Sequence, residues 1–178
     1  AWAFTVAALL WVYLGIQKGQ VTQDGLTGLN NRRRLDQYMW ELDERSGERE
    51  TCCYLLMDVN KFKKVNDTYG HVTGDEVLRL VAEQLKRTFG NMQAFLARYG
   101  GDEFVVIVKG KTQDEMDVII HQTQENVNAI AWGADTPWQL SISIGCAMRG
   151  EQGKQKSHEL LALADERMYR QKKGIQDR

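Results

Sequence analysis

The chain has a single proline. Its turns must therefore come from glycine, asparagine and aspartate rather than from proline-fixed loops. Cysteine is scarce too, with Cys52, Cys53 and Cys146 alone. Two are neighbours in one apolar run and the third lies in another. That spacing excludes a cysteine-held metal and a disulfide framework, and it reads as reduced core cysteine in a reducing compartment. Charge of one sign is also missing in bulk, since the formal net charge is −1. A basic footprint for duplex nucleic acid is absent, so no nucleic-acid partner is expected. Charged residues make up 26% against 43% hydrophobic, which excludes a disordered chain and allows one domain with a core. No apolar run reaches the ~20 residues of a full membrane span. Residues 1–16 come nearest, uncharged and mostly apolar, with Trp2, Trp11 and Tyr13 before Lys18. They read as the end of a transmembrane or signalling helix, with residues 17–21 as linker; an apolar helix packed on the domain is the alternative. No small-residue cleavage pattern supports a signal peptide. The first residue is not Met, which predicts a piece of a longer protein with its sensor region upstream. Lys18 and Arg32-Arg33-Arg34 place residues 22–178 on the cytoplasmic side.

Residues 22–178 read as one catalytic domain. Glycine, glutamine, threonine and asparagine through residue 30 mark an entry loop. Leu35, Tyr38, Met39 and Leu42 have helical spacing from about Asn31. Residues 52–57 form a buried strand ending at Asp58. A short helix is expected over 61–69. A longer one is expected after Thr73, where Thr73 and Glu76 have capping-box spacing. Strands over 95–98 and 104–108 flank Tyr99-Gly100-Gly101-Asp102, a hairpin signal. Met116 to Ile130 carry another amphipathic pattern, 139–147 a strand, and 157–173 a last helix. Interleaved helices and strands with one tight hairpin predict an α+β fold with a mainly antiparallel sheet flanked by helices.

Asp58 ends an apolar strand, and Asp102 and Glu103 follow the glycine turn. On neighbouring strands these carboxylates would converge at one sheet end, a donor set suited to Mg²⁺, with the Val59 carbonyl as a further ligand. Glycine at 100 and 101 lets the backbone approach a phosphate. Asn66, His71 and Asp75 lie between two helices. An amide and a carboxylate together match the guanine edge, but asparagine and aspartate serve equally as helix caps. His71 fits a structural hydrogen bond better than a metal ligand. Lys63 and Lys172 fit either phosphate binding or a solvated helix face.

The combination resembles the GGDEF domain of diguanylate cyclases. Gly100-Gly101-Asp102-Glu103-Phe104, preceded by Arg98-Tyr99, carries the signature. Asp24-Gly25-Leu26-Thr27-Gly28-Leu29-Asn30-Asn31-Arg32-Arg33 resembles the family's entry motif. Asp58-Val59-Asn60-Lys61-Phe62-Lys63-Lys64-Val65-Asn66-Asp67 and Gly74-Asp75-Glu76 match further, as do Ser143-Ile144-Gly145 and Ala164-Asp165-Glu166-Arg167-Met168-Tyr169. The likeness covers about residues 22–174. It implies a five-stranded, cyclase-like palm. It implies condensation of two GTP into cyclic di-GMP and two pyrophosphates, each 3′-hydroxyl attacking the α-phosphate of the other nucleotide across a homodimer. Two Mg²⁺ or Mn²⁺ per site would sit on Asp58, Val59, Asp102 and Glu103. Asp102 is implied as base, with Glu103 in support. Asn66, Asp75 and His71 would hold guanine, and Lys63 and Lys172 phosphate. The implied location is cytoplasmic, tethered to the bacterial inner membrane.

Three departures stand out. Asn91 and Ala94 occupy the positions of an Arg-x-x-Asp inhibitory site, which implies no product inhibition there. Gln176 stands where an arginine is expected, and Asn60 replaces a common aspartate without an expected metal role. The alternative function is a catalytically silent GTP-binding regulatory domain. A related cyclase with another product is disfavoured by the guanine-matching Asn66 and Asp75.

Overall fold

The computed structural model describes residues 2, 4–7, 22–45, 51–132, 138–149 and 155–176, the last two by backbone alone. The expected membrane or signalling segment and linker, 1–21, thus lie outside the described residues except for 2 and 4–7, which are helical and exposed. Among the described residues no helix is long and apolar enough to cross a membrane. The elements are α1 (Arg32–Glu44), β1 (Cys52–Val59), α2 (Phe62–Tyr69), α3 (His71–Phe89), β2 (Ala94–Arg98), β3 (Glu103–Lys109), α4 (Gln113–Asn128), β4 (Ile142–Met148) and α5 (Ser157–Gln176).

The sheet runs β2-β3-β1-β4, with antiparallel pairing throughout. The α+β expectation holds. Four strands are present among the described residues, not five. β4 also starts at Ile142, later than expected, because residues 139–141 lie outside the ladder.

Helices cover both faces, and this explains the uninterrupted apolar run of β1, whose every residue is buried. Cys53, Leu55, Met57 and Val59 pack in one cluster with Val77, Val81, Leu85, Phe89 and Met116 from α3 and α4. Tyr54 and Leu56 turn to the other face, with Leu35 and Met39 of α1 and Leu160 and Ala164 of α5. The three cysteines form no disulfide. Burial pushes the Cys53 thiol up to about 12 and that of Cys146 to about 11, so both stay protonated and inert.

Polar joints fix the layers. Asp43 of α1 accepts from the Ser157 N–H at 3.0 Å, from Ser157 Oγ at 2.7 Å and from Arg149 at 2.7 Å, and so caps the start of α5 from another helix. At the opposite sheet edge Asn30 bridges to β2: the Arg98 N–H donates to the Asn30 carbonyl at 2.8 Å, and Asn30 Nδ2 donates to the Leu96 carbonyl at 2.8 Å.

The capping box expected at Thr73 is not there. α3 begins at His71, which leaves Thr73 inside the helix with its hydroxyl on the Tyr69 carbonyl at 2.9 Å. Gly70, at φ 85°, makes the corner between α2 and α3 instead. The capping box forms at Thr112 and Glu115, where the Glu115 carboxylate accepts from the Thr112 N–H at 2.9 Å.

Candidate active site

The end of β1 collects the carboxylates. Asp58 pairs across the ladder with Glu103 of β3 on one side and Ser143 of β4 on the other. Directly opposed residues share a face of the sheet, so the Asp58 and Glu103 side chains neighbour each other. The Val59 N–H donates to the Asp102 carbonyl at 3.2 Å, which ties the glycine turn to the end of β1. Asp58 is only 6% exposed.

Its charge is matched from α5. Lys172 Nζ donates to Asp58 Oδ1 at 2.6 Å. Burial raises the Asp58 pKa, the Lys172 hydrogen bond opposes that, and the Asp102 and Asp165 charges add to the rise. Glu103 is raised too, by burial first and then by Asp58, Asp102 and Asp165. Mutual repulsion among acidic groups at a sheet end is a mark of functional sites.

The turn is braced from outside. Arg98 donates to the Gly101 carbonyl at 2.7 Å and to both Asp24 oxygens at 3.2 Å. Asp24 in turn accepts from the N–H and hydroxyl of Thr27 at 2.9 and 2.7 Å. Burial alone would raise Asp24, but the Thr27 and Arg98 hydrogen bonds outweigh it and hold the pKa below the ordinary value. The two glycines differ in use. A Cβ at Gly100 would meet Glu103 Oε2 at 2.7 Å, whereas at Gly101 nothing lies within 4 Å. Gly100 thus makes room for the carboxylate, and Gly101 leaves open backbone.

A second cluster forms at the corner of α2 and α3. Asn66 is half-buried on α2, and its carboxamide lies over Gly74, where a Cβ would meet Asn66 Oδ1 at 1.9 Å. His71 and Asp75 are exposed on the first turns of α3, four residues apart and so on one face. Lys63 is exposed on α2. Before α2, Lys61 holds φ 58°, a left-handed conformation uncommon outside glycine, which turns the chain sharply from the carboxylate end of β1 into this helix. Asn60 serves structure: its Oδ1 accepts from Ser143 Oγ at 2.7 Å and its Nδ2 donates to Ser141 Oγ at 3.1 Å. Asn91 is exposed and Ala94 opens β2. The Gln176 side chain lies outside the described residues.

Comparison with known proteins decides the family. The family described as "Diguanylate cyclase, GGDEF domain" matches residues 21–178. The chain belongs to the GGDEF family. This GGDEF domain is 38% identical over 156 residues to the Escherichia coli K12 protein named "Probable diguanylate cyclase DgcI", covering 85% of this chain and 31% of that protein. It is 34% identical over 161 residues to diguanylate cyclase DosC of the same strain, covering 86% of this chain and 34% of DosC. The chain thus spans about a third of the length of each relative. Among solved structures, the coiled coil and GGDEF domain of DgcB from Caulobacter crescentus, in complex with c-di-GMP, superposes with a TM-score of 0.80 at 28% identity, covering 97% of this chain and 91% of that one.

Among the described residues, no three His, Cys, Asp or Glu side chains close on one point as a finished metal cage. The donors nonetheless suit Mg²⁺ or Mn²⁺. Mg²⁺ is held by one or two carboxylates, with the remaining positions left to water and substrate phosphate. Asp58 already holds a cation, the Lys172 ammonium; burial and then neighbouring carboxylates raise Asp58 and Glu103, and a divalent ion would offset both.

The bracket of Asp24 and Arg98 escaped the sequence reading, although both residues belong to quoted motifs. Asp-x-x-Thr spacing in a loop is the signal that would have found it. Gln171, which precedes Lys172 on α5 and accepts from the Ile144 N–H, gave no signal.

Proposed function

We propose that this domain is a diguanylate cyclase, condensing two GTP into cyclic di-GMP and two pyrophosphates. The observation that carries the reading is the pairing of Asp58 with Glu103 at one sheet end, beside Asp102 and under Lys172. Asp58, the Val59 carbonyl, Asp102 and Glu103 would hold the two Mg²⁺ or Mn²⁺ ions. When bound, these ions supply Lewis-acid polarisation of the phosphoryl oxygens. Asp102, at the end of the glycine turn, takes the 3′-hydroxyl proton as base. Asn66 and Asp75 match the guanine edge, with His71 beside them on α3. Lys172 and Lys63 offset charge on the phosphates. The open backbone at Gly101 admits a phosphate without a Cβ in the way.

One domain with one nucleotide lacks an attacking partner, so two copies face each other, and positioning carries most of the rate. GTP places the reaction in the cytoplasm, and residues 1–16 would serve as the tether to the inner membrane. Without the charge pair of an Arg-x-x-Asp site at Asn91 and Ala94, product inhibition through that position is not expected.

Incubation with GTP and Mg²⁺, followed by chromatography across protein concentrations, tests the reading. Cyclic di-GMP and pyrophosphate are expected, with specific activity rising with concentration. Asp102→Ala should form neither. GTP bound but unchanged in a verified dimer would favour a silent regulatory domain.

A further inference from the structure

β4 is an edge strand, and residues 142, 144 and 146 point their backbone groups away from β1. Such groups normally pair with a further strand, with a covering element or with water. Here side chains take three of them. Gln124 Nε2 of α4 donates to the Ile142 carbonyl at 3.1 Å. The Ile144 N–H donates to Gln171 Oε1 of α5 at 2.6 Å. Arg167 donates to the Cys146 carbonyl at 2.6 Å. Gln124 Nε2 also donates to Gln171 Oε1 at 3.3 Å, so that one oxygen receives both groups. Two carboxamides and a guanidinium stand where a fifth strand would run.

Gln171 directly precedes Lys172. Successive helical side chains diverge by about 100°. One therefore reads the β4 edge while the next reaches inward to Asp58. Closer to its start, α5 rests on Gly145, with backbone against backbone at Ala164 and Met168. That contact sets the height of the helix over the sheet. The Gln171 bond sets its position at the end that carries Lys172.

We infer that Gln171 is a positioning residue, which fixes the last turns of α5 on the β4 edge and thereby holds Lys172 on Asp58. Its importance for catalysis rests on the cyclase reading, but the placement of Lys172 does not. Both contacts of Gln171 Oε1 are acceptor contacts, so Glu at this position keeps them and Leu loses them. Loss leaves the Ile144 N–H without its partner and frees the last turns to shift.

Two measurements on the full chain test this. The first is competitive acetylation with trace acetic anhydride, read lysine by lysine by mass spectrometry. Lys172, 27% exposed and paired with Asp58, should react slowly in the parent. Gln171→Leu should raise its rate severalfold without changing Lys63 or Lys111, and Gln171→Glu should restore the parent rate. The second is steady-state kinetics. Gln171→Leu should lower kcat about tenfold, within the cost of small misplacements, and any rise in KM for GTP should not exceed that of Lys172→Ala, because the guanine-matching residues lie on α2 and α3. In a Lys172→Ala background the same substitution should have no further effect. Unchanged Lys172 labelling in folded Gln171→Leu overturns the inference, as does an equal loss of kcat with and without Lys172. An inactive parent in which the labelling still responds refutes the cyclase reading and upholds the positioning role.

Discussion

Gly145→Ala sets two effects of opposite sign against each other. Gly145 lies inside β4, opposite Leu56 of β1. On propensity alone alanine should stabilise a regular strand, by about 0.5–1 kcal/mol. Packing says otherwise. A Cβ there would sit 1.9 Å from the Ala164 carbonyl oxygen, 2.4 Å from the Met168 nitrogen and 2.9 Å from the Ala164 carbonyl carbon. All three are backbone atoms of α5, so no rotamer change relieves the clash. Ordinary carbon–oxygen contact needs about 3.4 Å, so the helix must lift by on the order of 1 Å. Lifting loosens Leu160, Leu161, Ala164 and Met168, which α5 buries against the sheet. Overpacking of this kind costs about 3 kcal/mol, the upper part of its usual range. The net loss is about 2 kcal/mol, which lowers Tm by roughly 4–8 °C for a domain of this size. Thermal melts followed by far-ultraviolet circular dichroism measure it directly. Because α5 carries Lys172, kcat should fall with Tm. A variant that melts within about 1 °C of the parent, or above it, would refute the packing argument.

Glu103→Gln should stabilise the metal-free protein at neutral pH while lowering activity. The folded-state pKa of Glu103 is raised above its ordinary 4.5 by burial and by Asp58, Asp102 and Asp165. The folded state therefore binds more protons between the two values, and stability falls as pH rises from the ordinary value through the raised one. The variant should melt above the parent at pH 7.5, with the gain lost as pH falls to about 4, and a gain independent of pH would contradict the charge argument. Gly74→Ala puts a Cβ 1.9 Å from Asn66 Oδ1, with a lesser contact to Phe62 Cζ at 3.3 Å, so the Asn66 carboxamide must move most. It should raise KM for GTP about tenfold with little change in kcat, and an unaltered KM would remove Asn66 from the nucleotide site.

The placement of the candidate site residues was more legible in the sequence than the contacts that brace them. An apolar run ending at Asp58 and a glycine turn ending at Asp102 are local patterns, and antiparallel pairing of their strands brings them to one end as expected. Asn66 and Asp75 likewise fall at one corner because helical spacing and Gly70 dictate it. Partnerships across the chain were hidden. Lys172 lies 114 residues from Asp58, and both a solvated lysine and a phosphate-binding one fit its sequence context. Asp43 capping α5 and Gln171 capping the β4 edge leave no trace in any local window, because each serves a backbone group of another element. Thr73 shows the reverse: its capping-box spacing is real, but the Gly70 corner starts the helix three residues earlier.

Asn30 on β2, together with Gln124, Arg167 and Gln171 on β4, has a bearing on how two molecules can meet. Open strand borders invite a neighbour to continue the weave, and such seams are hard to undo. Among the described residues, both borders carry partners from within, at Leu96 and Arg98 on one side and at Ile142, Ile144 and Cys146 on the other. Where the proposed reaction brings two copies together, their encounter would fall to surfaces lined by side chains, an association that can dissolve after each turnover.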